Sequence, residues 1–389
     1  MLKERLLFNQ IKKYIDSPEA IVVTGMRRVG KTSLIRFIYD KIDSNNKIFL
    51  DLENPLNQKY FEEENYETIK STLEFLGVDF TKKSYLFLDE IQLLKNLPSV
   101  VKYLIDHYRV KCFLTGSASY YLKNLFTESL VGRKYVFELF PLNFKEFLSF
   151  KESNIKLSDN LKIISRPIFN TISNLYEEYL LFGGFPEVVL KINASEKKKS
   201  LEDIFTSYFQ LEVLGLGDFR RNNKIRDLIL LMMQRVGAKL DIKKLSRELS
   251  ISRPTLYQYI SFLEETYLIK TIKPFSRGKD IEVRKIPKVY LCDCGLANNF
   301  ARLDEGALFE NSVFQNLRIK GEVNYYQRKS GVEIDFILNR DTAIEVKINP
   351  SKQDLKKLLN ITSEIGIKKS FIVSKKYSEL ENTQYGFFI

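Results

Sequence analysis

Along its first 140 residues the chain switches between short continuous apolar runs and segments whose apolar residues recur every three or four positions. Ile21-Val-Val is a β-branched run that stops at Gly25. Leu34, Ile35, Phe37 and Ile38, with Arg36 between and Lys41 after, repeat as one face of a helix. Residues 47–52 read as a second strand, 66–76 as a helix carried by Ile69, Leu73 and Leu76, and 84–89 as a strand. A helix over 97–108, a strand over 111–117 and an apolar strand running to Phe140 complete the series. Strands alternating with helices predict a parallel sheet. Ahead of it, Leu7, Phe8, Ile11, Tyr14 and Ile15 lie at helical spacing in a segment charged throughout, an amphipathic helix rather than a signal peptide.

The pattern then changes. Residues 151–168 are polar and close on Pro167, the turn 181–187 follows a helix from Thr171, and a charged helix spans about 195–210. Further on, Ile225, Leu228, Ile229 and Met232 make one helix face, Leu245 and Leu249 a second, and Leu256, Ile260 and Leu263 a third, with Ile251 in the turn. With strands over 267–275 and 281–291, this is the outline of a winged helix-turn-helix. In a DNA-binding version Arg253, Thr255, Tyr257, Gln258 and Tyr259 face a groove or its phosphates, and Arg277 and Lys279 arm the wing; such modules also serve as lids and docking units. A helix around 308–317, strands over 323–328, 332–338, 342–347 and 369–374, and a helix near 355–365 form a last, small α/β unit. The expected division is an α/β core over 1–168, a helical extension over 169–223, a winged helix over 224–300 and the small unit over 301–389.

Chemistry enters at the strand-to-helix turn after Ile21-Val-Val, where Gly25, Gly30, Lys31 and Thr32 fall in the spacing G-x-x-x-x-G-K-T, with Ser33 next. Glycines let the backbone wrap a phosphate chain, the helix N-terminus attracts its charge, Lys31 adds a cation and Thr32 can hold Mg²⁺. The buried run 84–89 ends in Asp89 and Glu90, a Walker B pair: Asp89 for the Mg²⁺ shell, Glu90 for the attacking water. Thr115 and Ser117 tip the next strand as γ-phosphate sensors or as a helix cap. Arg133 reads as an arginine finger, in cis or in trans, or as an ordinary solvated arginine. A second constellation lies near the C-terminus. By the period of two, Glu333 and Asp335 share one strand face, as do Glu345 and Lys347, with Ile334, Phe336 and Val346 on the other. That is the arrangement of a PD-(D/E)xK nuclease, with Asp335 and Glu345 binding Mg²⁺, Lys347 assisting the water and Glu310 as an outer ligand.

Composition narrows the reading. A length of 389 residues implies two to three domains, and no apolar run approaches a membrane span. With the N-terminal segment an amphipathic helix rather than a signal peptide, the expected location is the cytoplasm. Three cysteines, Cys112, Cys292 and Cys294, make no disulfide framework and read as buried small hydrophobes. One histidine, His107, leaves nothing for a His-based metal site or triad, so any metal should be oxygen-bound. The net charge of +12 is compatible with nucleic acid or an acidic surface as partner.

Gly25-Met-Arg-Arg-Val-Gly-Lys-Thr, Leu88-Asp-Glu-Ile-Gln92, Leu114-Thr-Gly-Ser117, Val131-Gly-Arg133 and Pro141-Leu-Asn-Phe-Lys-Glu-Phe-Leu together resemble a family of archaeal and bacterial AAA+-type ATPases. In that family the ATPase core is followed by a region catalogued as domain of unknown function 4143, which looks like a nuclease fold of the PD-(D/E)xK kind. The resemblance implies ATP and Mg²⁺ as cofactors and supports the assignments of Lys31, Asp89, Glu90, Asp335, Glu345 and Lys347. Phe182-Gly-Gly-Phe-Pro is similar to a family box and reads as a tight turn packed by two aromatics. One departure is visible: the family often has a Trp beside an arginine before the acids, where this chain reads Tyr325-Tyr326-Gln327-Arg328 and has no Trp. Two functions are open to such a chain. One is an ATPase whose nucleotide state moves C-terminal modules on DNA, with homo-oligomers expected; the other is a nucleotide-dependent switch or scaffold whose nuclease-like domain cuts nothing.

Overall fold

A computed structural model of the chain describes residues 2–117, 130–157, 164–215, 222–276, 286–328 and 330–389. The helix expected around Tyr120, Leu122 and Leu125, its cap residue Ser119, and the wing residues Arg277 and Lys279 lie outside the described residues. The chain forms two compact units, Met1–Phe140 with Glu265–Tyr267, and Pro141–Glu264 with Leu268–Ile389.

In the first unit β1 (Ala20–Thr24) leads into α1 (Lys31–Lys41), followed by β2 (Lys47–Asp51), α2 (Tyr66–Phe75), β3 (Ser84–Asp89), α3 (Leu97–His107), β4 (Val110–Gly116) and β5 (Lys134–Glu138). Among the described residues the strands form one sheet in the order β2-β3-β4-β1-β5, with every neighbouring pair parallel. The order explains the composition. β1 and β4 are buried along their whole length, whereas edge strand β2 has one buried residue and edge strand β5 none, so only the central strands need continuous apolar runs. Val22, Leu86, Leu88 and Leu114 pack with Ile69, Leu73, Val100 and Leu104 of α2 and α3, and each such side chain stabilises the fold by about 1.5–3 kcal/mol. All the C-terminal strand ends in this parallel sheet open on one edge, where a ligand crevice forms.

The second unit begins earlier than the expected boundary at 168, because residues 141–150 pack against the helix over 166–182. Asn143 and Glu146 make a capping box for α4 (Phe144–Phe150), and the Phe144 ring meets Tyr176 edge-on at 5.0 Å. The Tyr179 hydroxyl donates to the Leu142 carbonyl at 2.9 Å. Tyr176 and Tyr179 lie on α5 (Arg166–Phe182), which starts before Thr171 because Pro167 fits its first turn rather than ending the polar segment. At the following turn Gly183 has φ +77°, and a Cβ there would fall 2.0 Å from the Asp293 carboxylate. Asp293 accepts from the Gly184 N–H at 2.7 Å and caps the helix after it through the Leu296 N–H at 2.9 Å.

Beyond α6 (Ala194–Tyr208) come α7 (Asn222–Gln234), α8 (Ile242–Glu248) and α9 (Arg253–Glu265), and then the antiparallel pair β6 (Ile269–Ile272) and β7 (Lys288–Leu291), extended by a bridge between Lys239 and Lys288. The apolar positions expected on the three helices are all buried. The unit closes with α10 (Cys294–Ala301), α11 (Glu305–Leu317), β8 (Val323–Gln327), β9 (Glu333–Leu338), β10 (Thr342–Lys347), α12 (Lys352–Ile365), β11 (Lys369–Ser374) and β12 (Thr383–Tyr385). Its sheet runs β12-β11-β10-β9-β8, with Leu358 and Ile361 of α12 packed on Ile334, Ile337, Ala343 and Ile372. Among the described residues no helix is long and apolar enough to cross a membrane, and Cys112, Cys292 and Cys294 are buried free thiols.

Candidate active site

Gly25 and Gly30 bracket the loop between β1 and α1 with φ of +151° and +96°. At Gly25 the backbone runs so close to β5 that a Cβ would sit 2.2 Å from the Leu139 carbonyl oxygen, so the first glycine is fixed by contact as well as by torsion. Lys31 is only 4% exposed, and its ammonium donates to the carbonyls of Gly25 and Met26 at 3.1 Å each, which holds a cation inside the loop's curve. Thr32 and Ser33 lie in the first turn of α1, Thr32 half-buried and Ser33 exposed.

Asp89, at the end of β3, is 2% exposed. Burial pushes its carboxyl above the ordinary value, and hydrogen bonds from the hydroxyls of Thr115 and Thr32 pull the other way. Thr115, fully buried near the end of β4, donates to Asp89 and accepts from the Glu90 N–H at 3.1 Å. Glu90 itself takes a left-handed backbone with φ +56°, which turns its side chain out of the strand. There Gln92 donates to the Glu90 carboxylate and, at 3.2 Å, to the Ser117 hydroxyl. Lys31, Thr32, Asp89, Glu90, Thr115 and Ser117 thus gather at the C-terminal edge of β1, β3 and β4. These residues fit a nucleotide with Mg²⁺: the Thr32 hydroxyl and a desolvated Asp89 carboxylate lie together, and a cation held there would offset the burial of that charge.

Two residues join the site that spacing did not single out as chemistry. Gln92 was visible only as part of a motif. Glu53 follows β2, and its carboxyl is raised by burial and by the charges of Glu90, Asp51 and Asp89, while Arg27 opposes the rise. Arg133 is not part of this edge. Its carbonyl accepts from the Ala20 N–H at the opposite end of β1, about 16 Å of strand away from Gly25, and its guanidinium pairs with Asp106 at 2.6 Å. A finger acting within its own chain is therefore excluded, because β5 runs parallel to β1 and starts at the wrong end.

The C-terminal acids also meet. Asp335 Oδ2 accepts from the Val346 N–H at 2.8 Å, and Lys347 donates to Glu345 at 2.7 Å. From α11, Glu310 accepts from the Tyr290 hydroxyl at 2.6 Å and faces Lys288 at 3.5 Å. Burial, then the Asp335 charge, pushes both Glu310 and Glu345 up to about 7. Burial works against the Lys288 ammonium, yet Glu310, Asp335 and Glu333 hold it above its ordinary value. Among the described residues no three His, Cys, Asp or Glu side chains are grouped so as to hold a metal ion. The set Asp335, Glu345 and Glu310 does not fit a divalent cation as it stands, since one oxygen of each is already engaged: Asp335 by the Val346 N–H, Glu345 by Lys347, and Glu310 by Tyr290 with Lys288. On α9, Arg253, Tyr257 and Gln258 are exposed and Thr255 half-exposed, but Tyr259 is 5% exposed and packs inward, which removes it from any groove-facing set.

Residues 17–148 match the family profile of an AAA domain, 173–307 that of the domain of unknown function DUF8612, and 305–388 that of DUF4143. An uncharacterized protein of Methanocaldococcus jannaschii is 31% identical over 330 residues, which takes in 82% of this chain and 71% of that protein. An uncharacterized protein of Haemophilus influenzae is 27% identical over 409 residues, 98% of this chain and 95% of that one. Among solved structures, the ORC1 protein of Aeropyrum pernix in complex with DNA has a TM-score of 0.37 at 13% identity, covering 82% of this chain and 95% of that one. The ORC2 protein of the same organism in its ADP form gives a TM-score of 0.37 at 12% identity, covering 79% and 93%.

Proposed function

The chain belongs to the family of AAA+-type P-loop ATPases with a C-terminal domain of unknown function 4143, and from that premise we propose that it hydrolyses ATP at the edge of β1, β3 and β4. The observation that carries this is the convergence of Lys31, Thr32, Asp89, Glu90 and Thr115 on one sheet edge. The loop N–H groups, the N-terminus of α1 and Lys31 bind the phosphates. Thr32 and Asp89 would hold Mg²⁺, which would neutralise phosphate charge. Glu90 orients the attacking water, and Thr115, bonded to both acids, fixes their relative position. Turnover of radiolabelled ATP by the Lys31→Ala variant tests this directly; a rate equal to the parent's sinks it.

The nucleotide cycle is coupled to nucleic-acid binding through the module of α7–α9 and β6–β7, read as a winged helix. Its support is the exposed face of α9, with Arg253, Tyr257 and Gln258, on a chain of net charge +12. If phosphates are contacted, affinity for a DNA duplex falls steeply with salt; an affinity indifferent to salt, or no binding, removes this part. Arg133 is left to act on a neighbouring subunit. A second reading, a nucleotide-dependent scaffold whose nuclease-like domain does not cut, is favoured by the protein partners already engaging the C-terminal acids. Metal-dependent nicking that Glu345→Ala abolishes would exclude it.

A further inference from the structure

Four carboxylates of the C-terminal unit, Glu310, Glu333, Asp335 and Glu345, stand near three lysines, and two of those lysines come from outside the acid-bearing strands. Lys288, on β7, is buried to 4% exposure and pairs with both Glu333 and, at 3.5 Å, Glu310. Lys239 reaches Glu333 at 3.2 Å and donates to Gln327. They act together because Lys239 and Lys288 face each other across an antiparallel bridge, which sends both side chains to one side of the ladder. The turn before that bridge is moulded on the same acid: Gly237 has φ +76°, and a Cβ there would lie 3.2 Å from Glu310 Oε1. Lys347 neutralises Glu345 on one oxygen, leaving Glu345 Oε2 as a buried oxygen without a partner. One oxygen does not make a metal site.

We propose that Lys288 is the cation of this acidic cluster: its ammonium, clasped between Glu310 and Glu333, occupies the role of a divalent metal and closes the carboxylates to Mg²⁺. The proposal rests on the nuclease-like reading of β8–β12 and deepens its non-cutting form. A buried lysine paired with two acids is costly to remove, since the acids are then left uncompensated. It also couples the β6–β7 pair to α11 and β9, so a movement of that pair would open the acids.

The full chain, free of nucleotide, is titrated with Mn²⁺ and with Mg²⁺ and followed by calorimetry and thermal melting. The parent is expected to show no saturable binding and no rise in Tm. Lys288→Met is expected to melt roughly 5–10 °C lower and to gain a Tm rise with Mn²⁺. Lys288→Arg, which keeps the charge, should melt near the parent and stay silent to metal. The double variant Lys288→Met/Glu310→Gln, which removes one charge of each sign, should recover stability and lose the metal response, and it keeps the test decisive if Lys288→Met alone does not fold. Saturable Mn²⁺ binding by the parent that Asp335→Asn abolishes overturns the clasp while leaving the nuclease-like reading standing. A destabilised Lys288→Met that gains no metal response leaves an ordinary ion pair, and overturns the closure together with the nuclease-like reading it rests on.

Discussion

Replacing Gly25 with alanine isolates how the phosphate loop depends on the edge of the sheet. The new Cβ would lie 2.2 Å from the Leu139 carbonyl oxygen and 3.1 Å from its carbon, so that backbone must retreat by about 0.8 Å or more to reach a tolerable contact. Leu139 is not free to retreat, because its N–H donates to the Thr24 carbonyl at 2.7 Å and so ties β5 to the last residue of β1. The φ of +151° adds strain of about 1–3 kcal/mol for a residue with a side chain, and overpacking adds about 1–3 kcal/mol more. A total of roughly 2–6 kcal/mol falls on the loop that holds Lys31. Gly132→Ala is the internal control, since its φ of +75° carries torsional strain but nothing lies within 4 Å of its Cβ. Both variants are measured for thermal stability and for affinity for a fluorescent ATP analogue. Gly25→Ala should lower Tm several degrees further than Gly132→Ala and weaken nucleotide binding, whereas Gly132→Ala should leave binding alone. Indistinguishable variants would refute the steric argument.

Gln92→Ala should slow ATP turnover roughly ten- to hundredfold while nucleotide affinity stays near the parent's, because the lost group positions Glu90 rather than the phosphates; an equal loss in affinity would contradict this. Burial pushes the Asp293 carboxyl up to about 6 from its ordinary 3.8, with the Gly184 and Leu296 N–H groups opposing. The fold therefore binds that proton more tightly than the unfolded chain, so its contribution is full below about pH 4 and is lost, up to roughly 3 kcal/mol, as pH rises through about 6. Asp293→Asn cannot titrate and loses an acceptor, so the parent's advantage in Tm should narrow between pH 4 and 7; a constant difference would be the contrary result. Tyr257→Ala should weaken DNA binding with little change in stability. Tyr259→Ala should instead cost about 3 kcal/mol of stability, because that ring is buried. Circular-dichroism melts and duplex titrations would expose the reverse pattern.

Much of the molecule is legible in the sequence, and for a local reason. The periods of two and 3.6 record which face of an element is buried, so the elements around Val22, Leu88, Ile225, Leu256 and Ile334 emerge within a few residues. The spacing from Gly25 to Thr32, and the acids Asp89 and Glu90 at a buried strand end, are legible because every part of each motif lies on one turn. The run before Phe140 reads as an apolar strand, yet β5 lies at an edge of the sheet and none of its five residues is buried.

Only the tertiary structure decided the partners. Spacing offered Arg133 as a finger, and the parallel order β1-β5 set it at the far end of the sheet, paired with Asp106. Spacing offered Asp335, Glu345 and Glu310 to a metal, and Lys288, more than twenty residues from any of them, came to lie among the acids. The motif from Pro141 to Leu148 reads with the ATPase core over 1–168, yet this segment packs on Tyr176 and Tyr179 in the second unit. A sequence determines local conformation through torsion and burial, which act within a few residues. The charges that balance a carboxylate are chosen by the packing of distant elements, and no spacing records that choice.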